Sequence, residues 1–175
     1  MNRPATLLVL LLAGLLAGCG GGSRPTGIRA AETPADDVAE YQPRWRSHTV
    51  DSTQYRKVFL AGTIDMGRSA DWQAALVARF RDSIGGRWLF FNPRRREFHA
   101  SPAEMEYQVA WELAHLEAAD LIVMNLLGDS RSPISLLEMG LYARSGKLFV
   151  ACSPDYYRYD NVRITCRRYG VPLYD

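Results

Sequence analysis

Four short apolar runs, Val58-Phe59-Leu60-Ala61, Trp88-Leu89-Phe90-Phe91, Leu121-Ile122-Val123-Met124 and Leu148-Phe149-Val150-Ala151, alternate with longer stretches of helical period. Runs this short and this continuously apolar read as strands buried on both faces, the condition of strands in a parallel sheet. Each parallel neighbour needs a crossover, and the intervening stretches supply helices for it. The spacing predicts helices over 70–82, 101–118, 132–144 and 161–169. A last edge strand is expected over 171–174, where Pro172 cannot donate to a ladder. The fold class is therefore α/β, a parallel sheet of about five strands with helices on both faces. Ligands of such sheets bind beyond the carboxyl ends of the strands, so chemistry is expected in loops 62–69, 92–96, 125–132 and 153–161.

The helices carry local signals of their own. Ser101-Pro102-Ala103-Glu104 combines an N-cap, a first-turn proline and a capping box. Trp72, Leu76, Val77 and Phe80 mark the inward face of the first helix, and Met105, Val109, Leu113 and Leu116 that of the second. In the third, Ser132 is placed to cap and Pro133 to fill the first turn, with Ile134, Leu137 and Leu141 as the apolar stripe. Glu138 falls inside that stripe, and Glu112 sits on or beside the stripe of the preceding helix. Aiming a carboxylate at the interior costs free energy and requires a reason. Each glutamate also has a plainer reading. Ser135-x-x-Glu138 spells a capping box, and Glu112 has Arg94 or Arg95 as a salt-bridge partner.

Several chemistries are excluded by missing motifs. No G-x-G-x-x-G follows the first strand, and there is neither a phosphate-binding G-x-x-x-x-G-K-[ST] nor a G-x-S-x-G elbow. Cys152 and Cys166 have no histidine nearby, and His48, His99 and His115 show no ligand spacing, so no metal or cofactor is called for. A formal net charge of +2 gives no basis for nucleic-acid binding. What remains is a pair of inward glutamates. Two neighbouring carboxylates suit glycosyl transfer: one attacks an anomeric carbon, and the other, its pKa raised by burial, shuttles a proton. On this reading Glu138 is the nucleophile and Glu112 its partner.

The N-terminal part reads as an address. Residues 1–18 hold a short positive start and an apolar run too short to span a bilayer. The run ends in Leu16-Ala17-Gly18-Cys19, which resembles the lipobox of bacterial lipoproteins. Cys19 is then the lipidated first residue of the mature chain, and Gly20 after it favours the periplasmic face of the outer membrane. Residues 19–55, rich in Gly, Ser, Pro and charge, are expected to be a tether, and 56–175 the folded domain. In such a compartment Cys152 and Cys166 either pair or serve as buried small hydrophobes.

Several motifs taken in order resemble one known family. They are Val58-Phe59-Leu60-Ala61-Gly62-Thr63-Ile64-Asp65-Met66-Gly67, Asp71-Trp72-Gln73, Asn92-Pro93-Arg94-Arg95, Gln108-Val109-Ala110-Trp111-Glu112-Leu113, Ala119-Asp120 and Ser132-Pro133-Ile134-Ser135-Leu136-Leu137-Glu138-Met139-Gly140. Together they look like the motifs of nucleoside 2-deoxyribosyltransferases, closest to the divergent branch of that family. The resemblance implies a flavodoxin-like (Rossmann-like) sheet. It also implies cleavage of the N-glycosidic bond of a nucleoside or nucleotide through a covalent glycosyl-glutamate, with the sugar passed to a base or to water. It places Glu138 at the nucleophile and Glu112 where the family has an acidic residue that handles the base or its proton. Phe59 is the nearest match for an aromatic residue lining the site, and Gly62, Asp65 and Ser132 fall in the matching loops around the substrate. Asp129 stands in for a second acidic residue near the sugar. Asn161 matches an Asn that contacts sugar hydroxyls, often supplied by a neighbouring subunit, which implies a homo-oligomer. Asp120 is read as structural. Arg94 and Arg95 either read a phosphate or form a solvated basic loop. Hydrolysis of another N-glycoside such as NAD, or a binding module without turnover, are the alternative functions.

Overall fold

A computed structural model describes residues 37–175 apart from 85, 98 and 100. The proposed signal peptide, the lipidation site Cys19 and most of the tether lie outside the described residues. In chain order the strands are β1 (Val38–Gln42), β2 (Trp45–Arg46), β3 (Arg56–Gly62), β4 (Trp88–Phe91), β5 (Leu121–Leu126), β6 (Leu148–Cys152) and β7 (Leu173–Tyr174). The helices are α1 (Trp72–Ser83), α2 (Pro102–Ala118), α3 (Pro133–Tyr142) and α4 (Tyr159–Tyr169).

One sheet of 7 strands runs β2-β1-β4-β3-β5-β6-β7. All neighbours are parallel except the short β1–β2 pair. The architecture is the expected α/β one, with more strands than the sequence suggests. The addition comes from 38–46, read from sequence as the end of a tether. Val38, Ala39 and Tyr41 are buried, and β1 extends the sheet beside β4 in the register Val38↔Trp88 to Tyr41↔Phe91. Five residues bracketed by polar neighbours and followed by Pro43 carry little pattern of their own. Their strand state depends on the partner that receives them.

Side chains of the central strands alternate between two dry layers, as the pleat requires. Phe59, Ala61, Ile122, Met124, Leu126 and Val150 point to the layer that holds Leu116 of α2, Met139 of α3, and Val162 and Cys166 of α4. Val58, Leu60, Phe90 and Val123 point to the layer that holds Trp72, Leu76, Val77 and Phe80 of α1. Thus α1 covers one face and α2 to α4 cover the other. Cys152 and Cys166 are both buried free thiols within the first layer.

The same division creates a switch point. From β3 the chain leaves through α1 on one face, and from the adjacent β5 it leaves through α3 on the other. The loops after these two neighbours diverge and open a crevice at their carboxyl ends. Asp120, which precedes β5, accepts the backbone N–H of Lys57 at 2.7 Å, the structural role read for it.

Two helices turn differently from the sequence expectation. The stripes Met105, Val109 and Leu113 on α2, and Ile134, Leu137 and Leu141 on α3, face outward, with exposures from 41% to 61%. Leu116 alone of the α2 stripe is buried. The inward face of α3 carries Ser135, Glu138 and Met139 instead. Glu138 lies one turn from Ile134 and Leu141, at the edge of the stripe, where α3 turns from its exposed face into the buried one.

Candidate active site

The crevice is a cavity of about 580 Å³. Its walls come from the loop after β3, the loop after β4, the middle of α2 and the first half of α3. Glu138, Glu112, Gly62, Asp65 and Ser132 all line it. The structure therefore brings together five of the residues singled out from sequence.

Glu138 is 8% exposed and makes no hydrogen bond or ion pair with any described residue. Burial, and then the charge of Glu112, push its carboxyl up to about 8. An acid held this way is poised near neutrality rather than spent on structure. The capping-box reading fails because α3 begins at Pro133, so Ser135 lies inside the helix. Glu112 is half-buried. Burial raises its pKa too, opposed by a hydrogen bond from Gln108 and by the charge of Arg95. Its ion-pair reading is also corrected: Gln108 Nε2 donates to Glu112 Oε1 at 2.7 Å, while Arg95 pairs with Glu104 at 2.7 Å.

Backbone geometry at the crevice is constrained. Gly62 has φ +121°, and a Cβ there would lie 2.2 Å from the carbonyl oxygen of Asn125, so no other residue fits. The next residue, Thr63, starts a buried hydroxyl cluster. Its Oγ1 lies 2.8 Å from Ser130 Oγ and 2.9 Å from Ser132 Oγ, and accepts the Leu127 N–H at 3.0 Å. Ser132 was expected to cap α3. It precedes the helix, but its hydroxyl turns into this cluster and its backbone takes φ 39°. The cluster ties the loop after β3 to the loop after β5, and so sets where α3 and Glu138 stand. Asp65 and Met66 also take positive φ, 47° and 54°, at the rim.

Four expectations are corrected. Phe59 is 0% exposed, packs on Trp111 in the core and does not line the cavity. Asp129 is exposed and outside the cavity. Asn161 lines a separate cavity of about 290 Å³ between α3 and α4. The arginine pair is not a solvated loop: both residues are largely buried and line the crevice. Arg94 is buried and donates to the carbonyls of Gly67 (3.1 Å) and Ser69 (2.8 Å), with Asp71 at 3.5 Å, stapling the rim in place. Arg95 is held by Glu104 and Gln108.

The model of the family described as nucleoside 2-deoxyribosyltransferase like matches residues 55–156. The chain belongs to that family. The match spans β3 to β6 and so includes every residue named above as lining the crevice. No curated protein matches the chain. Within the family frame, Thr63, Ser130, Gln108, Met66 and Ile134 are site or supporting residues that sequence reasoning passed over. Gln108 had a usable signal, since it stands one helical turn before Glu112.

Proposed function

We propose that the protein cleaves the N-glycosidic bond of a nucleoside or nucleotide through a covalent glycosyl-glutamate at Glu138. The observation that carries the reading is the buried Glu138 carboxyl, without a partner among the described residues, set in the crevice beside a second raised carboxyl. Two like charges in a desolvated pocket share a proton near neutral pH. The reaction needs Glu138 as carboxylate and the proton at the leaving base. Glu112 passes the proton to the base nitrogen as the N-glycosidic bond breaks and the bond electrons go to the base. Glu138 then forms the ester to the anomeric carbon, and a second base or water releases the sugar.

The run ending in Cys19 supports a lipid anchor, with the domain at the periplasmic face of the outer membrane. The outward apolar faces of α2 and α3 support a second copy of the chain as partner, because an apolar stripe is complementary to itself.

Purified protein incubated with deoxynucleosides plus a free base, and separately with NAD, tests the substrate. Base release or exchange from the deoxynucleoside is expected. Turnover of NAD alone would replace the substrate class, and full activity in Glu138→Ala would remove the mechanism.

A further inference from the structure

The crevice contains a side chain whose orientation is forced by its neighbours. Glu104, Gln108 and Glu112 stand one turn apart on a single face of α2. Arg95, from the loop after β4, lies over that face. Its guanidinium donates to Glu104 Oε2 at 2.7 Å and to the Glu104 carbonyl at 3.1 Å, and its Nε donates to Gln108 Oε1. Arginine has only donors. The atom of the Gln108 amide that meets Arg95 is therefore the oxygen, and the NH2 must point the other way. Both amide hydrogens are used there, one on Glu112 Oε1 at 2.7 Å and one on the Pro93 carbonyl at 3.1 Å. Flipping the amide would set a donor against Arg95 and an acceptor against two acceptors.

We propose that Gln108 is a positioning residue whose amide, oriented by Arg95, pins one oxygen of Glu112 and so fixes the other as the oxygen that carries the proton into the crevice. The assignment rests on the reading of Glu112 as proton donor given above. Glu112 Oε1 is occupied by an N–H donor, so when the carboxyl is protonated Oε1 serves as its carbonyl. The hydroxyl is Oε2, which makes no hydrogen bond among the described residues. Without Gln108 the carboxyl rotates freely and either oxygen takes the proton. The loss is then one of orientation, which is a kcat effect rather than a binding effect. Because the donor favours the ionised form, its removal also raises the pKa of Glu112, so that the carboxyl holds its proton to higher pH.

The test uses Gln108→Leu, close in size without a donor, and Gln108→Asn, which keeps the amide one methylene short. Thermal melting checks the fold of each. Turnover of deoxynucleoside is expected to fall about 10- to 100-fold in kcat with little change in KM. Independently of turnover, carboxyl titration by infrared difference spectroscopy is run in a Glu138→Gln background, with Glu112→Gln identifying the Glu112 band. In that background the Glu112 band is expected to titrate at higher pH when Gln108 is replaced. An unmoved titration in a folded variant, or a loss confined to KM, overturns the assignment. If no substrate turns over in the parent protein, the proposed function fails, while an upward titration shift still supports the Gln108–Glu112 geometry.

Discussion

Helices α1 and α3 leave adjacent strands and cover opposite faces of one sheet, yet they use their apolar stripes in opposite senses. On α1 the stripe Trp72, Leu76, Val77 and Phe80 is buried against the strands, each residue at 4% exposure or less. On α3 Leu137 and Leu141 face away, Ile134 is exposed at the wall of the crevice, and the buried face holds Ser135, Glu138 and Met139. Periodicity shows that a helix has two faces; it does not say which one meets the core. On α1 apolar burial decides, and the two polar groups it carries inward, the Trp72 indole N–H and the Gln73 amide, both donate to the Thr63 carbonyl. On α3 the inner face is a cavity wall, and its polar groups have the neighbouring carboxyl of α2 as company. The outward stripe is then left for something beyond the single chain.

This contrast can be broken in several ways, and the largest effect is expected at the inward acid. Glu138→Gln should lower turnover by at least about a thousandfold, or roughly 4 kcal/mol of barrier, in a steady-state assay of base release. Retained activity would reduce α3 to a scaffold like α1. Next comes the dry face. Phe80→Ala should cost about 3–5 kcal/mol of unfolding free energy in a denaturant titration, because its ring packs edge-on to Trp88 and Phe90.

A smaller effect, with a definite sign, belongs to pH. Unfolded, Glu138 ionises near 4.5; folded, it is pushed up to about 8. Between those values the folded protein holds a proton that the unfolded chain has lost. Its contribution to stability therefore falls as pH rises through that window, by roughly 1.4 kcal/mol per pH unit at most, and levels off above it. Melting curves of the parent and of Glu138→Gln should diverge across the same window, the variant being relatively more stable at the alkaline end. The smallest effect is predicted outside. Leu137→Ala should change the stability of the isolated chain by within about 0.5 kcal/mol. Leu137→Glu should lower the mass seen by light scattering if a second copy covers the stripe.

Much of the fold was legible because buried parallel strands announce themselves by composition, and β3 to β6 fall where the apolar runs do. Capping chemistry placed the start of α2 at Ser101, whose hydroxyl accepts the Glu104 N–H at 3.1 Å. What escaped were features decided by distant partners. β1 is a strand because β4 accepts it, and Ser132 leaves its capping role because Thr63 and Ser130 offer better company. In the site, the two glutamates were legible as acids out of place. Asn161 and Asp129 were not separable from true lining residues, since loop length does not reveal which side of α3 a residue reaches.

The central claim is that Glu138 holds a sugar covalently. Acid quenching of the protein during turnover of a 2'-deoxynucleoside, followed by peptide mass spectrometry, examines it directly. A deoxyribosyl adduct on the peptide containing Glu138, absent in Glu138→Gln, is the predicted result. Base release at an undiminished rate in Glu138→Gln, with no adduct on that peptide in either protein, would contradict it.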